Sequence, residues 1–224
     1  VAYSVNKEDM WISRIPVPVE INASAHADDD FSNNKSIAEL TDWNIYSPVW
    51  APVSLEDQWL KLQDKDPFDY AKVERKIPAS KELKVSFDLK AGQNNKGTLQ
   101  IEFLDENGIA CSRMELTDDG IFRLKGGSRF ANMMKYEAGK IYHVEAVLST
   151  VDRNIQVYVD GQRVWLRMFY APVAAVERIV FRTGVPRTFP TVDTPADQTY
   201  DLPNAGAQDP LAEYGIANVK TSSA

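Results

Sequence analysis

The stretch that decides the fold runs over residues 141–161 and reads I-Y-H-V-E-A-V-L-S-T-V-D-R-N-I-Q-V-Y-V-D-G. Two alternating runs flank a short polar break, and the second ends in a Val159-Asp160-Gly161 turn, so the segment reads as a β-hairpin. In the second run Ile155, Val157 and Val159 fall on one face, while Gln156, Tyr158 and Asp160 fall on the other. A period of two with one greasy face predicts a half-buried strand whose second face is polar.

The same alternation recurs along the chain. Leu83, Val85, Phe87 and Leu89 alternate with Lys84, Ser86, Asp88 and Lys90; Leu99, Ile101 and Phe103 alternate with Gln100 and Glu102. Strands are predicted over residues 44–52, 58–64, 71–77, 82–91, 97–104, 109–116, 121–125, 141–149, 155–159, 163–168, 175–182 and 213–221, with one helical turn over 36–40. The breaks between them carry turn chemistry, as in Glu106-Asn107-Gly108, Asp118-Asp119-Gly120 and Lys125-Gly126-Gly127. About a dozen short strands with almost no helical periodicity predict an all-β fold of two packed antiparallel sheets, a jelly-roll sandwich. In such a fold the outermost strands commonly meet, which places residues 214–219 beside the segment from Trp43 to Trp50.

Two stretches stand apart from this pattern. From Trp11 to Ile21 the chain reads W-I-S-R-I-P-V-P-V-E-I, where Pro16 and Pro18 exclude a central strand and favour a connecting role. Residues 183–211 are rich in proline, aspartate and small residues, too long and irregular for a simple turn. The organisation expected is an extended segment or linker over residues 1–41, in part the tail of a preceding domain, and a β-sandwich over 42–224. The chain opens on Val1 rather than methionine, from which a preceding signal peptide, domain or both is expected.

Composition limits the function classes. With 224 residues and 44% hydrophobic content the chain can bury a single large β core, and no apolar run approaches the roughly 20 residues of a spanning helix. A formal net charge of -7 opposes binding to a phosphate backbone, and no run of Lys and Arg overrides it. Cys111 is the single cysteine, which excludes an intramolecular disulfide and a cysteine-based metal cluster; a buried free thiol is expected. A lack of disulfides fits a cytosolic protein or a large bacterial secreted one.

The hairpin at 141–161 resembles a recurrent piece of the concanavalin A-like, laminin-G-like lectin and glucanase jelly roll, in which such a strand precedes an h-x-h-Y-h-D-G strand. Val180-Phe181-Arg182-Thr183-Gly184, a long loop, and then Tyr214-Gly215-Ile216-Ala217-Asn218-Val219 are similar to the close of such modules in secreted bacterial polysaccharide-degrading enzymes. Together the resemblance spans Trp43 to Lys220. Residues 3–14, including N-K-E-D-M-W-I-S, resemble the closing strand of a sialidase-like, Asp-box β-propeller. The resemblance implies a secreted, periplasmic or cell-surface bacterial protein, a preceding catalytic domain and a polysaccharide or oligosaccharide partner, with neither nucleic acid nor a membrane span.

Catalysis by the sandwich would need carboxylates arranged as a pair. A retaining glycoside hydrolase requires two about 5 to 5.5 Å apart, presented in the glucanases as an E-x-D-x-(x)-E run along one strand. Glu102 and Asp105 have the wrong parity for a shared face, Glu213 stands alone, and Asp28-Asp29-Asp30 and Asp118-Asp119 lie in predicted turns. Uronate-cleaving lyases on similar sandwiches use Tyr, His, Arg or Lys and Gln on the concave face, but this chain has only two histidines, His26 in a loop and His143 alternating with Glu145 in a strand. A hydrogen-bonded structural role is expected for His143.

Sugar binding needs an aromatic face to stack on a pyranose and charged or amide groups for its hydroxyls, with Arg favoured for uronates or sulfates. Tyr158, Trp165, Arg167, Arg113 and Arg123 are the carbohydrate-binding candidates, with Arg129 a further one; Trp11, Trp43, Trp50 and Trp59 are assigned to the core or to a domain joint. No cofactor is expected beyond a structural calcium, for which Asp28, Asp30, Asp201 and Asp209 are the candidate ligands, although no Asp-x-Asp-x-Asp-Gly loop is present. The expectation is a non-catalytic carbohydrate-binding or domain-buttressing module of a secreted glycan-active protein. The alternatives are a glycoside hydrolase or polysaccharide lyase working on the concave face, and a purely structural domain.

Overall fold

The computed structural model describes residues 2–5, 9–12, 25–127, 129–184 and 207–224. The strands are β1 (Ala2–Val5), β2 (Asp9–Ile12), β3 (Asp28–Asp29), β4 (Trp43–Tyr46), β5 (Val53–Glu56), β6 (Trp59–Asp64), β7 (Lys72–Ser80), β8 (Glu82–Ala91), β9 (Leu99–Leu104), β10 (Ala110–Leu116), β11 (Ile121–Gly126), β12 (Arg129–Lys135), β13 (Ile141–Ser149), β14 (Asn154–Val159), β15 (Gln162–Met168), β16 (Val176–Thr183) and β17 (Ala212–Ser223). A 3-10 turn covers Ile37–Glu39.

Two antiparallel sheets form the sandwich. One has seven strands in the order β12-β11-β10-β9-β16-β7-β4; the other has eight, β15-β14-β13-β8-β17-β6-β5, with β3 added on β17. Alternation builds the core between them. Leu83, Val85, Phe87 and Leu89 of β8 and Leu99, Ile101 and Phe103 of β9 are buried, with Ile179 and Phe181 of β16. Phe87 meets Phe181 edge to face across the gap, ring centroids 5.1 Å apart. Cys111 lies in this interior as a free thiol, its pKa pushed up to about 12 by burial.

The hairpin at 141–161 is a pair within a meander. β13 pairs with β14, Val144 opposite Val159 and Leu148 opposite Ile155, and β14 continues into β15. The turn between β14 and β15 has positive φ at both central residues, 50° at Asp160 and 78° at Gly161. That backbone matches the natural twist of paired strands, and glycine adopts it without a Cβ penalty.

Several expectations need correction. Residues 44–52 do not make one strand: β4 and β5 lie in opposite sheets, and Pro48 and Pro52, which lack an N–H for the ladder, fall in the crossing between them. The strand β17 does not lie beside Trp43 to Trp50; it runs between β6 and β8, with Tyr214 opposite both Leu62 and Ala91. Alternation along a strand fixes its faces but not its neighbours. The strand β12 was not expected at all, because R-F-A-N-M-M-K has no clean alternation and its pairing with β11 slips by one residue at Arg123.

Upstream of residue 42, Ala27 and Phe31 enter the core. Asp29 accepts hydrogen bonds from Trp43 Nε1 at 3.0 Å and Arg75 Nε at 2.8 Å, so residues from 27 onward pack as part of the sandwich. Further upstream β1 and β2 pair antiparallel, Tyr3 opposite Trp11. Most of the proline-rich stretch at 183–211 lies outside the described residues. Among those described, no helix is long and apolar enough to cross a membrane.

Candidate functional site

The outer face of the seven-stranded sheet carries side chains in register across its full width. One row runs Asn44, Glu74, Val180, Glu102, Arg113, Lys125 and Phe130 from β4 to β12. The next runs Tyr46, Lys72, Arg182, Gln100, Glu115, Arg123 and Asn132. Lys76 and Arg178 begin a third. Among the described residues, these rows bring together seven cations (Lys72, Lys76, Arg113, Arg123, Lys125, Arg178 and Arg182) and three carboxylates (Glu74, Glu102 and Glu115), an excess of four on a chain whose net charge is -7.

The carboxylates are sunk between the cations. Arg113 donates to Glu102 from Nε at 2.6 Å and Nη2 at 2.5 Å, and Arg123 grips Glu115 through Nε and Nη2, both at 3.0 Å. Glu74 meets Lys72 Nζ at 2.7 Å and Arg178 Nη1 at 3.4 Å. Each acid is thus committed to a cation, and fixed guanidinium planes result. Aromatic rings edge the face: Arg123 lies over Phe130 at 4.3 Å, Lys125 over Tyr170 at 4.6 Å and Arg182 over Tyr70 at 5.1 Å. Tyr70 packs on Tyr46, whose hydroxyl donates to Asp69 at 2.7 Å. Lys125 has no carboxylate partner among the described residues. In the middle of the second row Gln100 is buried, with neither Nε2 nor Oε1 hydrogen-bonded.

The five carbohydrate-binding candidates fall in three places. Arg113 and Arg123 stand in the adjacent rows just described. Tyr158 is on the outer face of the other sheet, half-buried, its hydroxyl donating to Gln156 at 3.1 Å. Trp165 and Arg167 share a face, as their spacing requires, but it is the inward one, because they pair with the buried Val157 and Ile155. Trp165 packs against the core with Nε1 unpaired, and the stem of Arg167 lies on Gly126 of β11, where a Cβ would meet its Cδ at 2.9 Å. These two residues form a joint between the sheets. The register slip after Val157, invisible to parity, separates them from Tyr158. Arg129, on β12, pairs with Gly126 and is exposed.

Of the metal candidates, Asp28 is paired with Lys220 at 2.9 Å, Asp30 accepts from the Ser32 amide and hydroxyl, and Asp209 is exposed. Asp201 lies outside the described residues. Among the described residues no three His, Cys, Asp or Glu side chains gather in a way that could hold a metal ion. His143 is exposed yet hydrogen-bonded, Nδ1 to Asp88 at 2.8 Å, and His26 meets the Thr221 hydroxyl at 3.1 Å.

A two-sheet antiparallel sandwich with a polar, aromatic-edged outer face defines a lectin-like jelly-roll module of the concanavalin A-like kind. The chain belongs to the family of sialidase-like carbohydrate-binding module (CBM) domains, whose model matches residues 43–198. It is 87% identical to a solved sialidase over 99% of its own length, with a TM-score of 0.89, and spans 20% of that protein. Its fold is also that of the Emp47p carbohydrate recognition domain (TM-score 0.55, 11% identity, 91% of this chain and 99% of that one). An alginate lyase of polysaccharide lyase family 7 shares it as well (TM-score 0.51, 13% identity, 83% and 96%). At such identities the likeness is one of fold alone. No curated protein sequence matches the chain.

Proposed function

We propose that this chain is a non-catalytic carbohydrate-binding module of a secreted bacterial glycan-active protein, and that it holds an acidic glycan on the outer face of the seven-stranded sheet. The observation that carries this reading is the excess of cations on that face of an acidic chain. Guanidinium planes fixed by Glu102 and Glu115 present ready-made forks for carboxylate or sulfate groups, and Phe130 and Tyr170 offer rings on which a pyranose can stack. The carboxylates are engaged by cations rather than facing one another, which favours binding over hydrolysis. Tethered to a sialidase, such a module would raise the local concentration of acidic glycan around the catalytic domain.

Affinity electrophoresis through gels containing polygalacturonate or sialylated mucin tests this. Retention in these gels is expected to weaken with salt and on Lys125→Ala, whereas migration in a neutral glucan gel is expected to respond to neither. Release of shortened products from either polymer would overturn the non-catalytic reading, and salt-independent retention would overturn the electrostatic one.

A further inference from the structure

We propose a second, separate sugar site on the outer face of the eight-stranded sheet, a hollow at Trp59 that takes one neutral pyranose. Leu60 and Leu62 are fully buried, so alternation turns Trp59, Lys61 and Gln63 outward. Trp59 follows the two-residue turn Asp57-Gln58, both at positive φ (51° and 65°), which fixes where the indole leaves the strand. Next in the outer row stands Gly215, between Lys61 and Lys90. Having no side chain, it lets the six-membered ring of Trp59 lie against the sheet: a Cβ there would meet Cε3 at 2.9 Å.

The absent side chain also leaves space. The hollow is about 240 Å³, below the roughly 300 Å³ at which sites for drug-sized ligands begin, a size suited to one ring rather than a chain. Its rim carries Lys61 and Lys90 against Glu56, Asp57 and Glu213, a slight acidic excess. Two of these groups are oriented in advance: Lys61 Nζ is 2.7 Å from Glu56, and Glu213 accepts from Gln63 Nε2 at 2.7 Å. An aromatic ring, paired donors and acceptors and a slight acidic excess that repels anionic sugars are the chemistry of a site for a hydroxyl-rich neutral sugar, whose apolar C–H face stacks on indole while its hydroxyls bridge carboxylate and ammonium. The cation-rich face on the other sheet has the opposite bias, toward acidic sugars. On this assignment the module grips two chemically different parts of a glycan, one on each side.

Amide and indole NMR of the whole chain, titrated with lactose and, separately, with trigalacturonate, tests this. Lactose is expected to shift the Trp59 indole and the amides of Lys61, Gly92 and Gly215 saturably at millimolar concentrations, and Trp59→Ala and Lys90→Ala are each expected to weaken that binding at least about tenfold. Lys90 is exposed, so its replacement separates lost binding from lost folding. No saturable shift with lactose, shifts confined to the seven-stranded sheet, or unchanged lactose binding by Lys90→Ala would overturn the site. The trigalacturonate titration reads the opposite face independently, so failure of one site is distinguishable from failure of the other.

Discussion

The two outer faces of the sandwich are built on the same strand geometry and differ in how their charges are grouped. On the seven-stranded sheet, Glu74, Glu102 and Glu115 are nearly buried among cations in neighbouring rows, and aromatic rings close the margins. On the eight-stranded sheet the ion pairs are separate and wetter, Lys84 with Glu145 at 2.7 Å and Lys61 with Glu56, and His143 is hydrogen-bonded to Asp88. Partly buried guanidinium–carboxylate pairs are ordered and costly to break, whereas exposed pairs contribute about 0 to 1 kcal/mol. The difference marks the first face as organised for charge, and leaves the second with one organised spot, the indole over Gly215.

The largest effect is expected from removing what both faces stand on. Phe181→Ala, which deletes the edge-to-face contact with Phe87, should cost about 3–5 kcal/mol in urea unfolding and erase any binding on either side together. Arg113→Ala leaves the Glu102 carboxylate without its cation and should cost about 3 kcal/mol, while binding at the Trp59 hollow persists in the folded fraction. Equal loss on both faces would show that they are not independent.

A third test probes the seam between the sheets. Asp64, at the end of β6, is hydrogen-bonded by Thr183, at the end of β16. Burial pushes its carboxyl up to about 6 from an ordinary 3.8, more than the Thr183 hydroxyl and the Asp66 amide lower it. With its folded pKa raised, the native state holds a proton that the unfolded chain has lost between about pH 4 and 6. Stability from this group therefore falls as pH rises through that window, by on the order of 3 kcal/mol, and stays low above it. Asp64→Asn should flatten the dependence and raise the melting temperature at pH 7.5; an unchanged pH profile would remove Asp64 as its source.

The smallest effects are expected where the charges are exposed. Lys84→Ala should change stability by less than about 1 kcal/mol and neither binding event. Gln100→Leu removes a buried amide without partners, and should leave the free protein as stable or more so, since an unpaired buried amide costs about 1–3 kcal/mol. If Gln100 contacts bound glycan, the same variant loses acidic-glycan retention while keeping lactose.

Much of the fold was legible in the residues because period-two alternation states directly which side of each strand is buried. Glu82–Ala91 and Ile141–Ser149 match their predicted bounds. The irregular edge strand Arg129–Lys135 carried no such signal, and with it Phe130 and its stacking on Arg123 stayed hidden. Arg113 and Arg123 could be named from residue type, but Lys125, Tyr170, Tyr46, Tyr70 and Arg182 could not be joined to them, since they come from separate strands and loops. Trp165 and Arg167 show the converse, a correct shared parity whose side was set by the register slip after Val157. Trp59, assigned to core or joint, is half-exposed because Leu60 took the inward position.

The sequence by itself determined the class of fold, the parity of nearly every strand, the lone buried thiol and the lack of a paired-carboxylate run. Those properties are local, written in the spacing of neighbouring residues. Only the tertiary structure decided which strands became neighbours, and hence that Glu102 meets Arg113, that seven cations share one face, and that an indole covers a glycine more than 150 residues away. Pairing between distant strands is chosen by the packing of the whole core, and no short window of residues contains it.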